Sequence, residues 1–238
     1  MQLFLISSSD HKQGQLSAGE TRHSLKVLRH QIGEEIHGID GKGNYYRARL
    51  KAVIDQQAQL EILEHQKDWG EAPGRLVLAI APLRLKDRFE WAIEKAVELG
   101  VTEIYPIQTQ RVDPYKSKFK PERLRTIMVT AMKQCKRSRL PLLHDRLSWQ
   151  EFLAHQPSLP NQKYLAWCEA EAPLSERVQA APFADTLLVI GPEGDFSPEE
   201  IQQAQQKDFQ LVSLGSTRLR TETAALYALS LLKARRDA

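Results

Sequence analysis

Cysteine is nearly absent. The 238 residues hold only Cys135 and Cys168, far apart and with no C-x-x-C pair. That excludes a disulfide framework and argues against a cysteine-based metal site; reduced thiols in a cytoplasmic protein are expected. No apolar run approaches the ~18–20 residues of a membrane span. Residues 1–9 are apolar but lack a basic leading segment, so they read as a first strand and not as a signal peptide. No internal repeat or low-complexity tract occurs. No G-x-G-x-x-G is present either, so a Rossmann dinucleotide site is unsupported. Seven histidines are present, five of them (His11, His23, His30, His37, His65) in the first 65 residues, at spacings that fit no metal template. What remains is ordinary globular material, 42% hydrophobic and 26% charged, enough for one large or two modest domains.

Net charge is also small, +3 from 33 basic and 30 acidic residues, but it is unevenly spread. Residues 110–146 carry 11 Lys/Arg against 3 Asp/Glu, whereas residues 147–238 carry 8 against 12. A local +8 block is either a solvated helix face or a field for phosphate backbones.

Hydropathy patterning divides the chain in two. Leu3–Ile6, Glu35–Ile39, Tyr45–Ile54 and Gln59–Glu64 read as short strands, with Asp40-Gly41-Lys42-Gly43 as a hairpin turn and Thr21–Arg29 as a short helix. These strands predict a small barrel. Asp68–Gly74, rich in Gly and Pro, reads as a linker. Beyond it, apolar strands (Arg75–Ala81, Glu103–Ile107, Tyr164–Trp167, Thr186–Ile190, Phe209–Leu214) alternate with helices. The predicted helices are Lys86–Leu99, capped by Gly100, then Pro121–Arg137, one opening at Ser197-Pro198, and Thr221–Leu232. Such alternation predicts an α/β domain with a mostly parallel sheet.

Two segments run strand, glycine turn, helix. The first, Ile190-Gly191-Pro192-Glu193-Gly194-Asp195-Phe196-Ser197, brings glycines where a backbone can approach a ligand closely, at the carboxyl end of a strand. The second, Leu214-Gly215-Ser216-Thr217-Arg218-Leu219-Arg220-Thr221-Glu222, sets two arginines just before a helix N-terminus. The first reads equally as a structural turn or as a ligand cradle; the second, on its residues alone, reads as two exposed arginines near a helix cap.

Together, GPEGDFSPEE and LGSTRLRTETAA resemble the paired C-terminal motifs of the bacterial 16S rRNA (uracil-N3)-methyltransferases, the RsmE family of the SPOUT superfamily. Lys95-Ala96-Val97-Glu98-Leu99-Gly100-Val101, Thr109-Gln110-Arg111, Gln134-Cys135 through Pro141, and His23 through Arg29 are similar to further family segments. The resemblance thus spans nearly the whole chain. Three positions depart from it: Asp195 stands where glycine is usual, and Gln110 and Lys133 stand where Glu is frequent.

The resemblance implies a PUA-like RNA-binding β-barrel (residues 1–70) followed by a SPOUT methyltransferase domain (residues 74–238) with a parallel sheet and a deep trefoil knot. It implies a homodimer that binds S-adenosylmethionine in a bent conformation and methylates a uridine of 16S rRNA, with the 30S subunit as context and no metal or membrane. Ile190, Gly191, Pro192, Glu193, Gly194, Leu214, Gly215, Leu219, Arg220 and Thr221 are the implied cofactor contacts.

Uracil N3 carries a proton and becomes a good nucleophile once that proton leaves. Alignment with the methyl group and a cation over a carbonyl oxygen are therefore what the reaction needs. Arg220 is the first candidate for that cation and Arg218 the second; Glu193 and Glu222 are candidates to accept a proton or to orient an arginine. Arg22, His23, Arg29, Arg111, Lys116, Lys118, Arg137 and Arg139 are the candidate RNA contacts. A SPOUT enzyme with another RNA target, or an RNA-binding assembly factor without turnover, are the rival readings. The retained glycine turns speak against the second of these.

Overall fold

The structure is a computed structural model. It describes all residues except Ser9, Asp10, Pro114, Lys116, Ser117, residues 155–157, residues 181–183 and Ala238. The chain forms two compact units: Met1–Glu71 with Val129–Leu140, and Ala72–Met128 with Pro141–Ala238.

The first unit is a closed five-stranded barrel, in the order β1 (Leu3–Ser8), β2 (Gln13–Leu16), β5 (Gln57–Lys67), β4 (Asn44–Ile54), β3 (Glu35–Ile39). β1 closes it by pairing parallel to β3, while the other ladders are antiparallel. Alternation decides the register: Tyr46, Ala48 and Leu50 of β4 point inward with Phe4, Ile6, Leu16, Ile36 and Leu60. The Asp-Gly turn forms as its residues dictate. One Asp40 oxygen accepts the amides of Lys42 (2.7 Å) and Asn44 (3.0 Å), and Gly41 and Gly43 take positive φ.

The expected helix over Thr21–Arg29 is instead α1 (Ala18–Arg22), capped by Ser17, followed by a π-helical turn over His23–Val27. Leu28 donates to the His23 carbonyl five residues back, and Arg29 ends the turn at φ +61°. Thr21 is buried, and its hydroxyl accepts the Ala58 amide (2.9 Å). That long-range bond fixes the early start.

The second unit is built on β6 (Leu76–Ile80), β7 (Glu103–Gln108), β8 (Leu142–Leu143), β9 (Leu147–Ser148), β10 (Gln162–Ala166), β11 (Thr186–Ile190) and β12 (Gln210–Val212). These make one seven-stranded sheet ordered β12-β10-β11-β6-β7-β8, with β9 also on β7, and every ladder is parallel. All five residues of β6 and of β11 are buried, as continuous apolar runs in a covered parallel sheet should be. The helices are α2 (Lys86–Glu98), α3 (Pro121–Gln134), α4 (Trp149–Ala154), α5 (Leu174–Ala180), α6 (Pro198–Gln205) and α7 (Thr221–Arg236).

Helix α2 buries Phe89, Ile93, Ala96 and Val97, the face its spacing predicts, and ends at Gly100 with φ +87°. Helix α3 stops at Gln134, three residues short of the expected end, and Lys136 adopts φ +59°. Its residues from 129 onward belong to the first unit. There Glu71 accepts two bonds from the buried Arg137 guanidinium (3.1 and 2.9 Å) and one each from the amides of Ser138 and Arg139. Among the described residues, no helix is long and apolar enough to cross a membrane.

Candidate active site

Because β10, β11 and β12 run parallel, their carboxyl ends emerge at one edge of the sheet, and three loops meet there. A cavity of about 870 Å³ lies between them. This is within the ~300–1,000 Å³ typical of small-molecule sites.

The loop after β11 is heavily braced. Ser197 and Glu200 form a capping box at the start of α6: the hydroxyl accepts the Glu200 amide (3.3 Å) and the carboxylate accepts the Ser197 amide (2.9 Å). The other Glu200 oxygen accepts the Gln110 amide (2.8 Å). Arg111 donates to the Gly194 carbonyl (2.6 Å). Two of the motifs found in sequence, Thr109-Gln110-Arg111 and the glycine turn, are thus one hydrogen-bonded assembly. At Gly191 a Cβ would stand 2.7 Å from the buried Phe196 ring, so the position admits only glycine without displacing the core.

The loop after β12 is bare by comparison. Ser213 and Gly215 close a short turn, Gly215 has φ +116°, and residues 215–218 are exposed. Arg220 is the extended N-cap of α7, with no side-chain cap bond and no ion pair among the described residues. One bond sews this loop to the first: the Thr221 hydroxyl donates to the Gly191 carbonyl (3.1 Å).

All ten residues expected around a cofactor, Arg220 among them, line this cavity, as does Arg218. Glu193 lies at its rim with a carboxylate oxygen 4.0 Å from Arg84. Glu222 does not line it; its side chain is buried and faces Arg88 at 3.6 Å. Arg111, expected at RNA, belongs to the cavity wall.

Sequence reasoning missed Trp167, Cys168, Glu169, Gln202 and Gln205, which also line it. Trp167, the last residue of the expected strand, and Cys168 and Glu169 follow β10, which ends at Ala166. The missing signal was its parallel pairing beside β11. The Cys168 thiol is pushed up from its ordinary pKa, first by burial and then by the Asp195 carboxylate, against a smaller opposing pull from Arg218.

The expected RNA contacts are dispersed. Arg22, Arg29 and Lys118 are exposed, His23 is half-buried, and Lys116 lies outside the described residues. Arg139 is exposed but bonded to Asp68 (2.6 Å). Arg137 is 5% exposed with its guanidinium held on Glu71, so it is withdrawn from the phosphate-facing set. Among the described residues, no three His, Cys, Asp or Glu side chains gather as metal ligands.

Comparison with known proteins places this geometry. The family model described as an RNA methyltransferase domain matches residues 70–233. A ribosomal RNA small subunit methyltransferase E from Mesomycoplasma hyopneumoniae is 33% identical, over 79% of this chain and 81% of that protein. The chain belongs to the ribosomal RNA small subunit methyltransferase E family. Its relative of the same name in Bacillus subtilis is 29% identical over 90% of this chain and 87% of the other. Among solved structures, the family enzyme of Neisseria gonorrhoeae, bound to S-adenosyl methionine, superposes with a TM-score of 0.84 at 29% identity, covering 98% and 97% of the two chains. A probable rRNA-methyltransferase from Porphyromonas gingivalis gives 0.84 at 30% identity, covering 100% and 99%. Both the barrel and the parallel-sheet unit therefore follow the architecture of this methyltransferase E family.

Proposed function

We propose that the protein transfers a methyl group from S-adenosylmethionine to N3 of a uridine in 16S ribosomal RNA, as a cytoplasmic homodimer acting in the context of the 30S subunit. The observation that carries this reading is that both glycine-turn motifs line one cavity, in a chain of this family. S-adenosylmethionine suits the site. Gly191, Gly194 and Gly215 leave backbone exposed to a ligand, and the volume takes a molecule of that size with room for a base.

When bound, S-adenosylmethionine supplies a sulfonium methyl group, and transfer is an in-line displacement. The backbone of Ile190 to Gly194 and of Leu214 to Thr221 holds the donor. Arg220, with no ion pair among the described residues, places its charge over a uracil carbonyl oxygen and stabilises the negative charge left as the N3 proton passes to the Glu193 carboxylate, which lines the same cavity. Arg218 is the second cation. Glu193 and Glu222 each face an arginine (Arg84 and Arg88), which suits them to holding those cations in place. The target base is unstacked to enter the cavity.

The barrel unit binds RNA through Arg22 and Arg29, and the parallel-sheet unit adds Lys118 and the exposed Arg123 and Arg125 of α3. Their contacts go to phosphates and are salt-sensitive. The two packed helices α2 and α7 each expose an aromatic side chain, Trp91 (40%) and Tyr227 (42%), which supports a dimer face there.

The test is incubation of purified protein with labelled S-adenosylmethionine and undermethylated 30S subunits, followed by nucleoside mapping. Label in 3-methyluridine of 16S rRNA is the expected result. Label in another nucleoside overturns the assigned position, and absence of cofactor binding overturns the enzymatic reading.

A further inference from the structure

The cavity has a latch that its glycine turns do not account for. Asp195 holds φ +64°, a left-handed backbone in which a glycine would be free of strain. The aspartate gives the loop an anion in return. One carboxylate oxygen accepts the amide of Phe196 (2.9 Å), whose ring is buried in the core, so the carboxylate is anchored to an immobile point. The other accepts the amide of Cys168 (3.3 Å). The preceding amide, on Trp167, still donates to Val212 across from β12 (3.1 Å). Cys168 is therefore where the loop after β10 leaves the sheet, and Asp195 takes the first amide beyond it. The Cys168 thiol feels both the Asp195 carboxylate, which raises its pKa, and the Arg218 guanidinium, which lowers it. Cys168, Asp195 and Arg218 come from the loops after β10, β11 and β12, and all three border the cavity.

We propose that Asp195 is a positioning residue that pins the loop after β10 against the loop after β11 and so sets the width of the cavity for its ligand. The inference rests on the reading that this cavity holds S-adenosylmethionine. Its role is to hold geometry before binding, so it acts on cofactor affinity and not on the transfer step.

Three proteins test it: wild type, Asp195→Gly and Asp195→Asn. Glycine suits the backbone and removes the carboxylate; asparagine keeps an oxygen acceptor without the charge. Asp195→Gly is expected to keep the melting temperature. It is expected to speed hydrogen exchange at the Cys168 amide by roughly tenfold and to weaken S-adenosylmethionine roughly five- to tenfold, the scale of one ordinary hydrogen bond. Its kcat at saturating cofactor is expected to stay within about twofold of wild type, since uniform binding is what is lost. Asp195→Asn has one acceptor oxygen for the two amides, so it is expected to fall between Asp195→Gly and wild type in both protection and affinity. Unchanged exchange and affinity in Asp195→Gly overturn the latch. If the wild type itself fails to bind S-adenosylmethionine, the reading of the cavity fails, and exchange at Cys168 still decides whether the loops are pinned.

Discussion

The two glycine loops face each other across one cavity and are built in opposite ways. The loop after β11 is tied at Gln110, Arg111, Cys168 and Glu200, and its Phe196 and Ser197 are buried. The loop after β12 is exposed from Gly215 through Arg218, and it reaches the first loop through Thr221. A rigid wall fixes where a ligand lies; a looser cationic wall adapts to the substrate that arrives above it. In the proposed reaction, binding and chemistry thereby fall to different loops.

That division can be broken by substitution. The largest effect belongs to the loose wall: Arg220→Ala should lower single-turnover methyl transfer by about 100- to 1,000-fold, the cost of losing one preorganised charge donor. Cofactor affinity by calorimetry should change little, and turnover near wild type would show that the cation lies elsewhere. Next comes the rigid wall. Glu200→Ala strands the amides of the buried Ser197 and of Gln110, so thermal unfolding should report a loss of about 2–3 kcal/mol. Full stability would mean the brace is redundant.

Thr221→Val removes the stitch between the walls. It should cost about 1 kcal/mol of cofactor affinity and leave the melting temperature nearly unchanged; an equal fall in both would make the bond a general fold contact. The smallest effect is in reactivity. Burial and the Asp195 carboxylate raise the Cys168 pKa, so the folded protein favours the protonated thiol. That contribution is fully present below the ordinary thiol pKa and fades as pH rises through the raised value. Alkylation of Cys168, followed by mass spectrometry, should be slower than that of a free thiol at neutral pH and should accelerate only in more alkaline solution. Fast labelling at pH 7 would contradict the site's polarity.

Sequence alone disclosed the elements whose signals are local. Helix α2 follows from its apolar spacing and Gly100, the β3–β4 hairpin from Asp40-Gly41, and α6 from Ser197, Pro198 and Glu200. Both walls of the cavity were legible as strand–glycine–helix segments. What stayed hidden depends on partners distant in the chain. Arg137 reads as one more cation in a basic block, and only the fold brings Glu71 to neutralise it. Strand β2 and the helices α4 and α5 are too short to carry a period. Asp195 reads as a departure at a glycine position until Cys168 is placed beside it.

The strand order also carries a kinetic consequence. β6 is apolar throughout and central, yet one of its neighbours, β7, follows closely in the chain whereas the other, β11, arrives late. At this seam the Arg75 amide finds the Asp185 carboxylate 110 residues further on. Until that long loop closes, one edge of β6 stands unpaired and greasy. Refolding from denaturant should accordingly be slow, and its yield should fall as protein concentration rises, because intermolecular strand pairing competes for the waiting edge.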